Sequence, residues 1–185
     1  MKIVIGISGA SGIIYAKKLL EYLSALRKFQ IFAVASIDAI KIAKTEMQTD
    51  LIEFFKSLKV EYFNNDDFYA PLASGSFLID KTIVIPCSIK TLSSVAMGFS
   101  QSLIARMCDV AIKEKRTLTI CPREMPFSAI HLENMLKLAQ LGVNIVPPVP
   151  AFYNEPKTID DLVNFVVGKV LDVTGIENDI SKRWK

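Results

Sequence analysis

Five short apolar, β-branched runs, each followed by a helical pattern, set the architecture open to this 185-residue chain. Strands are expected over 2–7, 30–35, 82–86, 117–121 and 143–146, and helices over 12–27, 37–58, 90–108, 127–141 and 158–174. Short strands separated by helices of this length are joined by crossovers and pair in parallel. The pattern therefore predicts one α/β domain over 1–185, a parallel sheet with helices on both faces. Half the residues are hydrophobic (51%) against 22% charged. That excess must be buried by covering the sheet on both faces or by packing helix faces against other subunits.

Several classes are disfavoured. No run approaches the roughly 18 apolar residues of a membrane span. A strand pattern starts within three residues of Met1, which leaves no room for a signal peptide. Three cysteines without a C-x-x-C spacing argue against a disulfide framework or zinc site and for a reducing cytoplasm. A net charge of +3 does not call for nucleic acid. Two stretches break the alternation: EYFNNDDFYAPLASGSF (61–77), expected as a long polar and aromatic loop with room for short helical pieces, and VPPVPAFYNEP (146–156), whose four prolines forbid a helix. The tail, about 176–185, carries Trp184 and is expected to be mobile or to dock on a neighbour.

In an open parallel sheet, ligands bind beyond the carboxyl ends of the strands. The segments there are Ser8–Gly12, Ser36, Cys87–Thr91, Cys121–Glu124 and Pro147–Tyr153. They are rich in glycine, hydroxyls and basic groups, which suit a phosphate. The first turn, IVIGISGASG, is neither G-x-G-x-x-G, nor a P-loop, nor G-x-S-x-G. It offers N–H groups and the Ser8 and Ser11 hydroxyls to an anion, or is a plain turn with Ser11 as helix N-cap. PCSIKTLSS (86–94) opens a second helix with Ser88, Lys90 and Thr91. Cys87 is either an activated thiol or a packing residue. In CPREMP (121–126) prolines bracket Arg123, suited to a phosphate, and Glu124, suited to acid–base work. His131, the sole histidine, fits a capping or buried structural role, and Glu46 alone reads as a solvated helix face.

GISGASG, ASGSF, PCSIKTLS, DVAIKEKR, CPREMPFSAIHLENMLKLAQLG and VPPVPAFYNEP, in this order, resemble the UbiX-type flavin prenyltransferases over nearly the whole chain. The resemblance implies a Rossmann-like or flavodoxin-like subunit in a homo-oligomer, typically a dodecamer, with sites between subunits. It implies a metal-independent transfer of a dimethylallyl group from dimethylallyl monophosphate to N5 and C6 of FMN, the product serving UbiD-type decarboxylases. Carried over residue by residue, FMN falls to Gly9, Ala10, Ser11, Ser36, Ser88, Ile89, Lys90, Thr91, Arg106 and Arg123. The prenyl phosphate falls to Lys113, Arg123, Tyr153 and Lys169, with Trp184 covering the site. Ser11, Glu46 and Glu124 take the catalytic positions. The family often has arginine where this chain has Lys169, and a lysine lacks the bidentate fork. An FMN-binding electron carrier, a flavin-dependent decarboxylase and a non-enzymatic nucleotide-binding scaffold are the rival readings.

Overall fold

The apolar runs form the centre of a six-stranded, wholly parallel sheet in this computed structural model, which describes residues 1–183. The strands are β1 (Lys2–Ile7), β2 (Gln30–Ala35), β3 (Glu61–Asn64), β4 (Lys81–Cys87), β5 (Thr117–Pro122) and β6 (Asn144–Ile145), in the order β3-β2-β1-β4-β5-β6. The helices are α1 (Ile13–Ala25), α2 (Ile37–Met47), α3 (Leu51–Ser57), α4 (Ile89–Ala96), α5 (Leu103–Lys113), α6 (Ala129–Gln140) and α7 (Ile159–Thr174).

Period-two alternation splits the core into two layers. Ile3, Ile5 and Ile7 of β1 face a cluster built with Leu19, Leu20 and Leu23 of α1, Phe55 of α3 and Val167 and Leu171 of α7. Val4 faces the other way, toward Leu92 of α4, Ile104 and Met107 of α5 and Leu138 of α6. Both faces are thus covered, as continuous apolar strands require. Gly6 lies under α5, where an added Cβ would stand 2.5 Å from the Met107 methyl and 3.3 Å from Ile104 Cγ2.

Four expectations are corrected. The 37–58 helix is two helices: Gln48 takes a left-handed φ of 52°, and Asp50 restarts the chain by accepting the Ile52 and Glu53 N–H groups. The 90–108 helix is also two, broken at Gly98 and recapped by Ser102. The 61–77 loop contains β3, an edge strand of four residues with exposed ends; its 3-10 turn at Pro71–Ala73 is a short helical piece of the kind expected there. The last strand shrinks to two residues, because Pro147 and Pro148 bring no N–H to a ladder. The tail, through residue 183, lies against α1 and α7 of its own chain.

Replacing Gly6 with valine is expected to overpack the α5 contact and destabilise the fold by about 1–3 kcal/mol, read as a lower thermal midpoint.

Candidate active site

The sheet reverses its winding between β1 and β4, and the crevice at their carboxyl ends is the ligand position of an open α/β sheet. One hydroxyl closes its floor. Ser8, 2% exposed, donates Oγ–H to the Pro86 carbonyl at 3.1 Å and accepts the Ser88 N–H at 2.7 Å. Ser8 is therefore committed to the scaffold and is not offered to a ligand.

Helices α1, α2 and α4 all begin at this crevice, but their N-termini differ in charge. The N-cap of α1 is Gly12, not Ser11, with a left-handed φ of 97°. Its free N–H groups are taken by a carboxylate from elsewhere in the chain. Glu46, in the last turn of α2, accepts from Gly12 N at 3.0 Å and from Ile13 N at 3.3 Å. Gly9 allows the loop to press on α2, since a Cβ there would lie 2.6 Å from the Asp38 Cβ. The Ser11 hydroxyl, released from capping, has no hydrogen-bond partner among the described residues. Helix α2 is capped by Ser36, which accepts the Ala39 N–H at 3.1 Å, and it carries Asp38 in its first turn. Helix α4 is capped by Ser88 through Thr91 N at 3.3 Å and has no acidic residue in its first turn. With Ile89 and Lys90 at its first two positions, α4 offers the crevice the helix terminus best suited to an anion.

The loop after β5 borders the same crevice. Arg123 donates its backbone N–H to the Cys87 carbonyl at 3.0 Å, and its exposed side chain and that of Glu124 point away from the core. Glu124 accepts the N–H of Met125 at 3.0 Å. Tyr15, in the first turn of α1, was not singled out by the sequence. Burial pushes its phenol up, and the Arg123 guanidinium opposes that shift. His131 completes a capping box: Ser128 N donates to its Nδ1 at 3.1 Å, while His131 N donates to Ser128 Oγ at 3.3 Å. Burial pushes the Cys87 thiol up to about 12, so the packing role holds.

The remaining candidates lie elsewhere on the chain. Arg106 donates Nε–H to the Ala73 carbonyl at 3.0 Å and pairs with Asp109 at 2.7 Å. Lys113 pairs with Glu114, whose carboxyl that ammonium holds below its ordinary value. These side chains and the Ala73–Ser76 backbone line a cavity of about 430 Å³. Helix α5 runs back along the strands, so Lys113 lies toward their amino ends, about 20 Å from the crevice for a six-residue strand. On one chain Lys113, in the last turn of α5, stands apart from Ser11 and Ser88. A third patch holds Tyr153, whose ring meets Phe165 edge-on at 5.8 Å, and the exposed Lys169 on α7. Trp184 lies outside the described residues. Among the described residues, no cluster of three or more His, Cys, Asp or Glu side chains could hold a metal ion.

The Flavoprotein family model matches residues 1–171. A flavin prenyltransferase UbiX from Methanocaldococcus jannaschii is 55% identical over 184 residues, covering 100% of this chain and 98% of that protein. The chain belongs to the UbiX family of flavin prenyltransferases. Among solved members of the UbiX family, one from Escherichia coli described as a dodecameric FMN-dependent UbiX-like decarboxylase superposes with a TM-score of 0.96 at 42% identity, covering 100% of both chains. AnUbiX, solved with FMN and dimethylallyl pyrophosphate, gives 0.95 at 38% identity, over 100% of this chain and 97% of that one.

Cys87, Cys108 and Cys121 are all buried, and burial raises each thiol. Ellman's reagent at pH 8 is expected to find none of the three in the folded protein and all three after denaturation.

Proposed function

We propose that this chain is a flavin prenyltransferase. It moves a dimethylallyl group from dimethylallyl monophosphate to N5 and C6 of reduced FMN and releases the product to a UbiD-type decarboxylase. The 55% identity to a flavin prenyltransferase over 184 residues carries this proposal. The crevice suits the ligand. The α4 terminus with Ser88, Ile89, Lys90 and Thr91 takes the FMN phosphate, helped by the Ser36 hydroxyl. Gly9, Ala10 and Ser11 lie against the flavin ring, and Arg106 and Arg123 contact it. The fixed Glu46 carboxylate keeps a second phosphate off the α1 terminus, which favours a mononucleotide over a dinucleotide.

Reduced flavin supplies the nucleophilic N5 and C6. The protein's part is electrostatic. The allylic C–O bond breaks with negative charge collecting on the departing phosphate, and Lys113, Arg123 and Lys169 stabilise it together with the Tyr153 hydroxyl. Glu124 or the departing phosphate delivers a proton to the prenyl double bond and takes up the one lost as C6 bonds to it, and Glu46 and Ser11 handle the proton lost from N5.

Lys113 and the crevice are separated on one chain, so we place the complete site between subunits of a homo-oligomer, a dodecamer like its Escherichia coli relative. The three free thiols support a reducing cytoplasm as its compartment.

Incubation of apo-protein with reduced FMN and dimethylallyl monophosphate, followed by mass measurement of the extracted flavin, tests the activity. A gain of one C5 unit is expected; unmodified FMN would leave an electron carrier or scaffold. Lys169→Ala is expected to raise the KM for the donor about tenfold, and a donor-concentration series showing unchanged kinetics would remove that residue from the phosphate site.

A further inference from the structure

The chain leaves α7 at Gly175 and folds back along it, and each step of the return is tied down. Asp179 and Tyr22 of α1 bond reciprocally: the phenol donates to Asp179 Oδ1 at 2.9 Å and accepts Asp179 N–H at 3.1 Å. Asn178 donates its amide N–H to Asp172 Oδ1 at 2.9 Å. Arg183 donates to the same carboxylate through both terminal nitrogens, at 2.9 Å to Oδ1 and 3.3 Å to Oδ2. Gly168 leaves space for the tail, because a Cβ there would stand 2.6 Å from Ser181 Oγ. The far end of the tail then reaches the proline-rich loop: Asn154 donates its amide N–H to the Lys182 carbonyl at 3.0 Å.

Asn154 is the neighbour of Tyr153. The tail, α7 and this loop enclose a cavity of about 550 Å³ lined by Asn154, Lys157, Phe165, Ile180 and Lys182. Proline fixes φ but supplies no N–H, so a loop with Pro147, Pro148, Pro150 and Pro156 has few backbone bonds with which to hold itself. An outside anchor therefore counts for more here than in an ordinary loop.

We propose that Asp172 is a positioning residue for donor binding. It clasps the tail through Arg183 and Asn178, and the Lys182 carbonyl then fixes Asn154 and, with it, the placement of Tyr153. The role rests on the assignment of Tyr153 to the prenyl phosphate made above. The clasp is more than a surface ion pair. The Arg183 side chain is 64% exposed, but that of Asp172 is 29% exposed and receives three N–H bonds in all. Removing the carboxylate takes three bonds from the clasp and leaves Asn178 only its bonds to the Ile176 and Gly168 carbonyls and Arg183 only its bond to the Asn178 carbonyl at 3.2 Å, whereas removing Arg183 leaves the Asn178–Asp172 bond in place. Asp172→Ala must therefore act more strongly than Arg183→Ala.

Amide hydrogen exchange and donor kinetics on the assembled protein test this together. In Asp172→Ala, exchange at 151–155 is expected to quicken about tenfold, and the donor KM to rise about five- to tenfold with FMN affinity unchanged. Gly168→Ala, which pushes on Ser181 without altering charge, should change the same two quantities. On a Tyr153→Ala background, Asp172→Ala should add nothing further to KM, since both changes remove one interaction. Unchanged exchange at 151–155 overturns the clasp, and a KM increase of equal size on the Tyr153→Ala background overturns action through Tyr153. A wild type that forms no prenylated flavin overturns the activity and this role with it, while exchange at 151–155 still decides whether the tail holds the loop.

Discussion

The carboxyl edge of the sheet is organised around the Ser8 hydroxyl. Strands β1 and β4 pair only from Ile3 to Gly6, so beyond that point no ladder holds the diverging chains. Ser8 takes over, donating to Pro86 and accepting from Ser88 while its own N–H also reaches the Pro86 carbonyl at 3.2 Å. A buried hydroxyl with both roles filled is stable where it is, and removing one partner costs about 1–3 kcal/mol. The bridge fixes the start of α4 relative to the glycine turn. Around it, Ser36 is tied to β1 through the Ile7 carbonyl and Arg123 to β4 through the Cys87 carbonyl.

Charge then sorts the three helix termini that meet there. The α1 terminus is filled by Glu46, the α2 terminus carries Asp38, and the α4 terminus carries Lys90. An anion arriving at the crevice meets two acidic positions and one basic one, so its orientation is decided before any contact with the rest of the ligand. The same sorting explains why the glycine turn matches no dinucleotide or P-loop pattern. Its helix terminus already holds an anion, supplied by the protein itself.

The layers of the fold were legible because period two and period 3.6 alternate cleanly from β1 onward. The strand β3 was not, since EYFN buries only the middle of four residues at an edge. The breaks at Gln48 and Gly98 were hidden inside apolar patterns that continue on either side; Asp50 and Ser102, as caps, were the available signals. At the site, the sequence offers both serines of the turn to an anion, but Ser8 is structural, a role set by β4, 78 residues away in sequence; the α1 N-cap is Gly12 and not Ser11. Glu46 read locally as a solvated residue because its partners, Gly12 and Ile13, are 34 and 33 residues distant. Only the family resemblance pointed to it. For Tyr15 the local signal is an aromatic in the first turn of a helix that begins at a ligand loop.

The separation of Lys113 from the crevice has a consequence for how the protein works. Helix α5 covers the sheet in a direction that carries its last turn away from the ligand edge, and no side-chain rotation closes a gap of about 20 Å. A site that uses both patches draws them from different copies of the chain. Co-expression of two variants, Arg123→Ala and Lys113→Ala, followed by purification of the mixed assembly and assay of prenylated flavin, tests this most directly. Random mixing should leave both residues intact at about a quarter of sites and restore activity to that extent. Activity no higher in the mixed assembly than in either variant alone would contradict a site shared between subunits.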